Sequence, residues 1–459
     1  MKRAAQSRKG RQIVKGAVWL LSLGLPVLTS AMSLDQAVRS GLAIHPDVRS
    51  AIAEAERAGT EVKIAKGGYY PALSMSGGPQ EFEFGEVVYD VTVSQMLYDW
   101  GRVGSKVDGA SATERKQLEA VRVAQDDAAL DIIETYLDVL AATQRVEAVR
   151  QHLQRLDGVR QMTQDRGGDG YADRSELDRA NLELARAQEQ LSLEKGTLQD
   201  ARNQYDILVG QPAADLEEPQ PMSMQRYLAA SDLKQVIRDS PLQRKAVEDA
   251  NVAEAQVREA KASLLPQLNL EASALRREVG GHLENDSVVS LRFRMDTFQG
   301  LSNFQRPTAA QQRLESARWT ADAMQRDIRR QLQTLFDTGE TLRWREQSLS
   351  QQVTEAEQVA GLYREQFEVG RRDVIDLLNV QRERFEAERQ LINLHFEQKR
   401  VEYRAAAQVG WLGPLVEGRL NHGHRYQPSE GRDVAGGQPS GSVASGIATA
   451  VPATRSSTR

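Results

Sequence analysis

Along two stretches of more than 100 residues, apolar positions recur at alternating steps of three and four. Val146, Val149, Leu153 and Leu156 carry the pattern in the first; Ala387, Leu391, Leu394, Val401 and Ala405 carry it in the second. That spacing lays one narrow apolar seam along a helix, while the other positions are rich in Gln, Arg, Glu and Asp, as in coiled coils. Proline is absent from 80–211 and from 308–413. Because proline costs about 3 kcal/mol inside a helix, very long helices are permitted just there.

Each stretch is punctuated once, by RGGDGYADRSEL (166–177) and by EVGRRDVIDLL (368–378). Glycine there would end one helix and a polar residue would cap the next, giving two helical hairpins. In the first, a descending arm over 105–164 spans roughly 90 Å and a returning arm over 174–209 roughly 50 Å, at 1.5 Å per residue. Rods this thin bury too little alone and need neighbours.

Period two replaces the helical period just before each hairpin. Val87, Tyr89, Val91 and Val93 alternate with Val88, Asp90, Thr92 and Ser94. Val289, Leu291, Phe293 and Met295 alternate with Ser290, Arg292, Arg294 and Asp296. These read as strands, with weaker ones before them at 72–76 and 267–275. Charge on one face and large apolar groups on the other suit a wall with lipid outside and water inside, although an ordinary half-solvated sheet alternates in the same way. Four strands cannot close a membrane barrel, whose smallest examples have eight, so a membrane role requires several chains to pool their strands.

The two halves echo each other at a shift of 200 positions. Tyr136 corresponds to Phe336, Arg145 to Arg345, Gly170 to Gly370, Asp173 to Asp373, Leu177 to Leu377, Glu183 to Glu383, and Gly210 to Gly410. Upstream, with a small slip, KIAKGGYYPALSM (63–75) matches VREAKASLLPQLNL (257–270). Each copy therefore runs as a short helix, a proline, strands and a long hairpin, which implies pseudo-twofold symmetry within one chain. The expected organisation is a first repeat over 32–210, a linker over 211–231 whose segment 211–221 holds three prolines, a second repeat over 232–412, and a tail over 413–459 poor in apolar residues and expected to lack fixed structure.

Residues 1–31 carry six Lys and Arg, then an apolar run from Ala17 to Leu28, then Thr29, Ser30 and Ala31. This is the pattern of a secretory signal peptide, so the mature chain is expected to be exported. Loss of that leader would remove six positive charges and no negative ones, taking the formal net charge from −5 to −11. Such an acidic balance argues against nucleic-acid binding. No later stretch offers the apolar length of a transmembrane helix, which leaves a β-barrel as the only way into a membrane.

Composition narrows the chemistry. The chain has no Cys and six His, so a disulfide scaffold, a thiolate metal site, a cysteine nucleophile and a lipidated N-terminus are excluded. No catalytic triad or phosphate loop can be assembled, so no cofactor and no enzymatic activity are expected. Asp165, Asp169, Gly170 and Asp173 lack the alternation and closing Glu of a calcium loop and read as a polar turn, and His422 and His424 lie in the Gly- and Ser-rich tail.

With the leader, the duplicated unit, QMLYDWGRVG (95–104) at the strand-to-helix passage and VGRRDVIDLLNVQRERFEAERQL (369–391) at the second tip, the chain resembles the TolC family of outer-membrane efflux and secretion channels over about residues 32–413. The resemblance implies a mainly α fold with a membrane β-barrel part: a homotrimer with four strands per protomer in a 12-stranded barrel, and helices forming a periplasmic tunnel. It also implies a periplasmic adaptor and an inner-membrane transporter, of ABC type, as partners. The periplasmic end would be held closed by polar links between hairpin tips.

On that pattern Gly370 matches the tip glycine, Arg372 the arginine of the closing links, and Asp376 an aspartate of the constriction, where a ring of carboxylates would attract cations. Two positions depart from it. Asn379 replaces the second ring aspartate and Phe367 the usual tyrosine, while Glu176 falls where an acidic partner for Arg372 is expected. Solvated charge on a hairpin tip is the plain alternative for Asp376, Arg372 and Glu176. The missing lipidation Cys and the tip RGGDGYADRSELDRA (166–180) resemble the branch serving type I secretion of large adhesins or repeat toxins, with small-molecule efflux as the alternative within the family. A periplasmic adaptor or coiled-coil scaffold would also be exported and helical, but adaptors carry one hairpin flanked by compact β domains.

Overall fold

The computed structural model of the chain describes residues 32–79, 87–168, 174–220, 233–279, 282–295 and 301–413. The leader, Gly170, Asp173, Asp296, the linker beyond Gln220 and the tail from 414 lie outside the described residues. Each copy opens with two helices where one short helix was expected: α1 (Leu34–Ile44) and α2 (Pro46–Gly67) in the first, α5 (Leu233–Asp239) and α6 (Pro241–Ala262) in the second. The breaks fall at Pro46 and Pro241, each in the first turn of its second helix, where a missing N–H costs nothing. Ser33 and Gln36 close a capping box around the start of α1.

The hairpins follow the expected plan. Helix α3 (Arg102–Gly168) runs 67 residues, roughly 100 Å, and returns as α4 (Arg174–Val209). Helix α7 (Arg306–Glu368) runs 63 residues after a 3₁₀ turn (Leu301–Gln305) and returns as α8 (Val374–Val409). The returning arms keep the 200-residue shift residue for residue. Both end at a left-handed glycine, Gly210 at φ 74° and Gly410 at φ 76°.

At the waist of the rods lies the main core, in which Ile132, Ile133, Tyr136 and Leu137 of α3 meet Tyr205 of α4, Ile328 and Leu332 of α7 and Phe396 of α8. Residues 211–220, expected only as a boundary, form a strap pinned across it. The Tyr136 hydroxyl stands 2.8 Å from the Met32 carbonyl and 2.5 Å from that of Glu217, and Glu218 accepts from the buried Lys399 at 2.8 Å. Tyr136 has one proton, so it serves one carbonyl at a time.

Strands β1 (Ala72–Pro79), β2 (Val87–Tyr98), β3 (Gln267–Val279) and β4 (His282–Arg294) pair antiparallel in that order. Register decides the faces. Leu73 pairs with Val93, Val93 with Ala272, and Ala272 with Val289. Two residues along, Leu270 pairs with Leu291, and then Leu268 with Phe293. Ser74, Asp90, Thr92, Asn269, Glu271, Ser290, Arg292 and Arg294 therefore share the opposite face. Met75, Val289 and Phe293 are more than 70% exposed, and β1 and β4 end the sheet with edges that no strand pairs among the described residues. No helix among the described residues is long and apolar enough to cross a membrane.

Candidate functional site

The site expected from sequence is the turn between α7 and α8. Helix α7 ends in a Schellman motif: Arg371 N–H donates to the Gln366 carbonyl at 2.8 Å and Gly370 N–H to that of Phe367 at 3.0 Å. The motif needs a left-handed residue after the helix, and Gly370 supplies it at φ 75°. Asp373 stands at the N-cap of α8 in extended geometry, but its side chain makes no capping bond.

This tight turn brings Arg372 back over its own helix. Its Nε donates to Gln366 Oε1 at 3.1 Å, its Nη1 donates to Asp376 Oδ2 at 2.9 Å, and its guanidinium lies 4.1 Å from the centroid of Tyr363. The Asp376 carboxylate holds the Arg372 guanidinium above its ordinary pKa. Arg372 and Asp376 are thus brought together, as a pair whose charges cancel within one tip. Asn379, a turn further on, accepts from Arg382 at 3.0 Å.

Phe367 does not take part in that link. It is fully buried with Leu156 and Val159 of α3, Ala180 of α4, and Val374 and Leu377 of α8, and this cluster joins the two tips. The aromatic ring beneath Arg372 is Tyr363, one helical turn earlier and overlooked in the sequence. Its signal was available, since positions four apart share a face.

Arg166, near the end of α3, was also missed. Its guanidinium sits 4.4 Å from the Phe367 centroid, and its Nη1 donates to the Phe367 carbonyl at 3.4 Å. Glu176, in the first turn of α4, does not meet Arg372 within the chain; its Oε2 is buried without a hydrogen-bond partner. Gly170 and Asp173 lie outside the described residues. No cluster of His, Cys, Asp and Glu able to hold a metal occurs among the described residues.

Two helical hairpins over an amphipathic, open-edged sheet define the protomer of a membrane channel. A sequence model of the family described as outer membrane efflux protein matches residues 37–211 and 233–405, one segment per copy. The chain belongs to that family, TolC-type channels of the Gram-negative outer membrane with a periplasmic extension.

Solved structures agree in fold. The outer membrane protein VceC of Vibrio cholerae is 17% identical at a TM-score of 0.71, over 82% of this chain and 96% of that one. The CmeC outer membrane channel of Campylobacter jejuni is 13% identical at 0.70, over 84% and 89%. The MtrE outer membrane channel of Neisseria gonorrhoeae, solved in its open state, is 17% identical at 0.67, over 82% and 88%. No curated protein sequence matches.

Proposed function

We propose that three copies of this chain pool their sheets into one 12-stranded barrel and their hairpins into a periplasmic tunnel, which receives substrate from an adaptor and an ABC-type inner-membrane transporter. The observation that carries this is the sheet. Among the described residues its apolar face is uncovered and both edges are unpaired, and four strands fall short of the eight that the smallest membrane barrels need. Three protomers supply twelve strands and six hairpins.

The Arg372–Asp376 pair acts in this reading as the closing element of the tunnel. While Arg372 is held by Asp376, Gln366 and Tyr363, the Asp376 charge is masked; movement of the tip that withdraws Arg372 would unmask a ring of three carboxylates and favour cations. The bulk of the cargo in this proposal is protein, exported by type I secretion, on the strength of the 166–180 tip sequence and the absence of a lipidation Cys. Small-molecule efflux is the second reading, supported by the description of the family that matches.

Membrane fractionation tests the channel. The chain should sediment with the outer membrane and run as an oligomer that heating converts to monomer; a soluble monomer overturns it. A deletion strain that loses a secreted protein supports the protein cargo, and one that keeps its secretome but gains drug sensitivity supports efflux.

A further inference from the structure

The polar face of the sheet carries an arrangement that the gate does not use. Glu271 of β3 is 8% exposed in its side chain, and two arginines of β4 converge on it. Arg292 Nε lies 2.9 Å from Oε2 and Arg294 Nη2 lies 3.3 Å from Oε1, so each carboxylate oxygen has its own guanidinium. Glu271 pairs in register with Ser290, so both arginines reach back along β4 to meet it. Their side chains remain 62% and 58% exposed, and each guanidinium keeps most of its five donors unused by Glu271.

One buried carboxylate against two arginines leaves one excess positive charge per chain at the end of the sheet nearest the helices. The acidic residues of the same face, Asp90, Glu284 and Asp286, stand toward the other end. Both guanidiniums sit at Glu271, level with Ser290, and Asp286 is four residues from Ser290, about 13 Å at 3.3 Å per residue. That is more than one Debye length at about 0.15 M salt, so these carboxylates are largely screened from the arginine patch.

We propose that Arg292 and Arg294, oriented by Glu271, form an anion-attracting belt at the helix-side end of the barrel lumen, which draws in carboxylate, sulfate or phosphate groups of the transported substrate. The inference rests on the pooled barrel proposed above. Twelve strands 4.8 Å apart and tilted about 40° close at a radius of roughly 12 Å. An arginine side chain reaches about half of that distance, which brings three guanidinium pairs within roughly one Debye length of the axis at physiological salt. Their field therefore covers the passage, in series with the Asp376 ring at the far end of the tunnel.

The test is the reversal potential of the full-length channel in planar bilayers under a potassium chloride gradient. Arg292→Gln with Arg294→Gln should raise the potassium-to-chloride permeability ratio at least about twofold, and Glu271→Gln, which leaves both arginines uncompensated, should lower it. The double Lys variant should stay near wild type, and all shifts should shrink toward about 1 M salt, where the Debye length falls to about 3 Å. A ratio unmoved by the Gln double variant and by Glu271→Gln, in channels that respond to Asp376→Asn, overturns the belt alone. Wild-type protein that forms no channels overturns the pore and the belt together.

Discussion

Arg166 and Phe367, 201 positions apart, hold the two hairpin tips together: the guanidinium of the first stacks 4.4 Å from the ring centroid of the second and donates to its carbonyl. A cation over an aromatic ring contributes about 0.5–2 kcal/mol, depending on how far it is desolvated. Arg166→Ala should therefore loosen the second tip while leaving the waist core intact. Trypsin cleavage at Arg371 and Arg372 should quicken several-fold; an unchanged rate would show that the hydrophobic cluster alone holds the tips.

At the proposed gate, Arg372→Ser should raise single-channel conductance by removing the charge that Asp376 and Tyr363 hold. Tyr363→Ala should act in the same direction and Tyr363→Phe should not, because the ring face is what the guanidinium contacts. Asp376→Ala should reduce cation preference. Unchanged conductance and selectivity across this set would remove the tip from the gating mechanism.

Gly370 and Gly410 share a left-handed backbone but differ in surroundings. An added Cβ at Gly370 meets only the far end of Arg166 at 4.0 Å, whereas at Gly410 it would collide with the rigid ring of Pro241. Gly370→Ala should cost about 1–2 kcal/mol from backbone strain. Gly410→Ala adds an overpacking cost of about 1–3 kcal/mol. Chemical denaturation of the two variants should rank them in that order.

Asp126 of α3 accepts the N–H groups of Leu412 and Gly413 on one oxygen, at 3.1 and 3.2 Å, where the chain leaves α8. Burial pushes its pKa up to about 7, against those two bonds. A carboxyl with a folded pKa above its unfolded one favours the protonated fold, so its contribution is full below about pH 4 and is lost as pH rises to about 7. The loss is at most about 4 kcal/mol, at 1.36 kcal/mol per unit. Asp126→Asn should abolish this downward slope.

His152 works in the opposite sense. It stacks on Phe385 with centroids 4.4 Å apart, its Nδ1 is buried without a partner, and burial lowers its pKa to about 4, helped by Arg155 and opposed by Glu388. Its stabilising contribution is full above about pH 6.5 and falls as pH drops toward 4, by up to about 3 kcal/mol. In the wild-type chain the two slopes largely cancel between pH 4 and 6.5. His152→Phe should expose the Asp126 slope, and Asp126→Asn the His152 slope; parallel stability curves for both variants would contradict this.

The sequence by itself determined the hairpins, the strands and their order, while the split of each opening helix at Pro46 and Pro241 emerged only in the structure. The 200-residue echo, the proline-free stretches and the change of period from 3.6 to 2 reflect forces that act within a few residues, so the returning arms and the polar and apolar strand faces were legible at single-residue resolution. The seam residues Val146, Val149, Leu156, Leu394 and Val401 are buried as their spacing required. Tertiary structure alone decided which side chains meet. Arg372 lies on Tyr363 because the Schellman turn folds the chain back, Phe367 goes to Arg166 because the tips pack together, and Glu271 gathers Arg292 and Arg294 through strand register. A helical or strand period specifies the face a residue occupies, but its partner depends on how whole elements pack across hundreds of intervening positions, and two copies of one pattern packed differently acquire different chemistry.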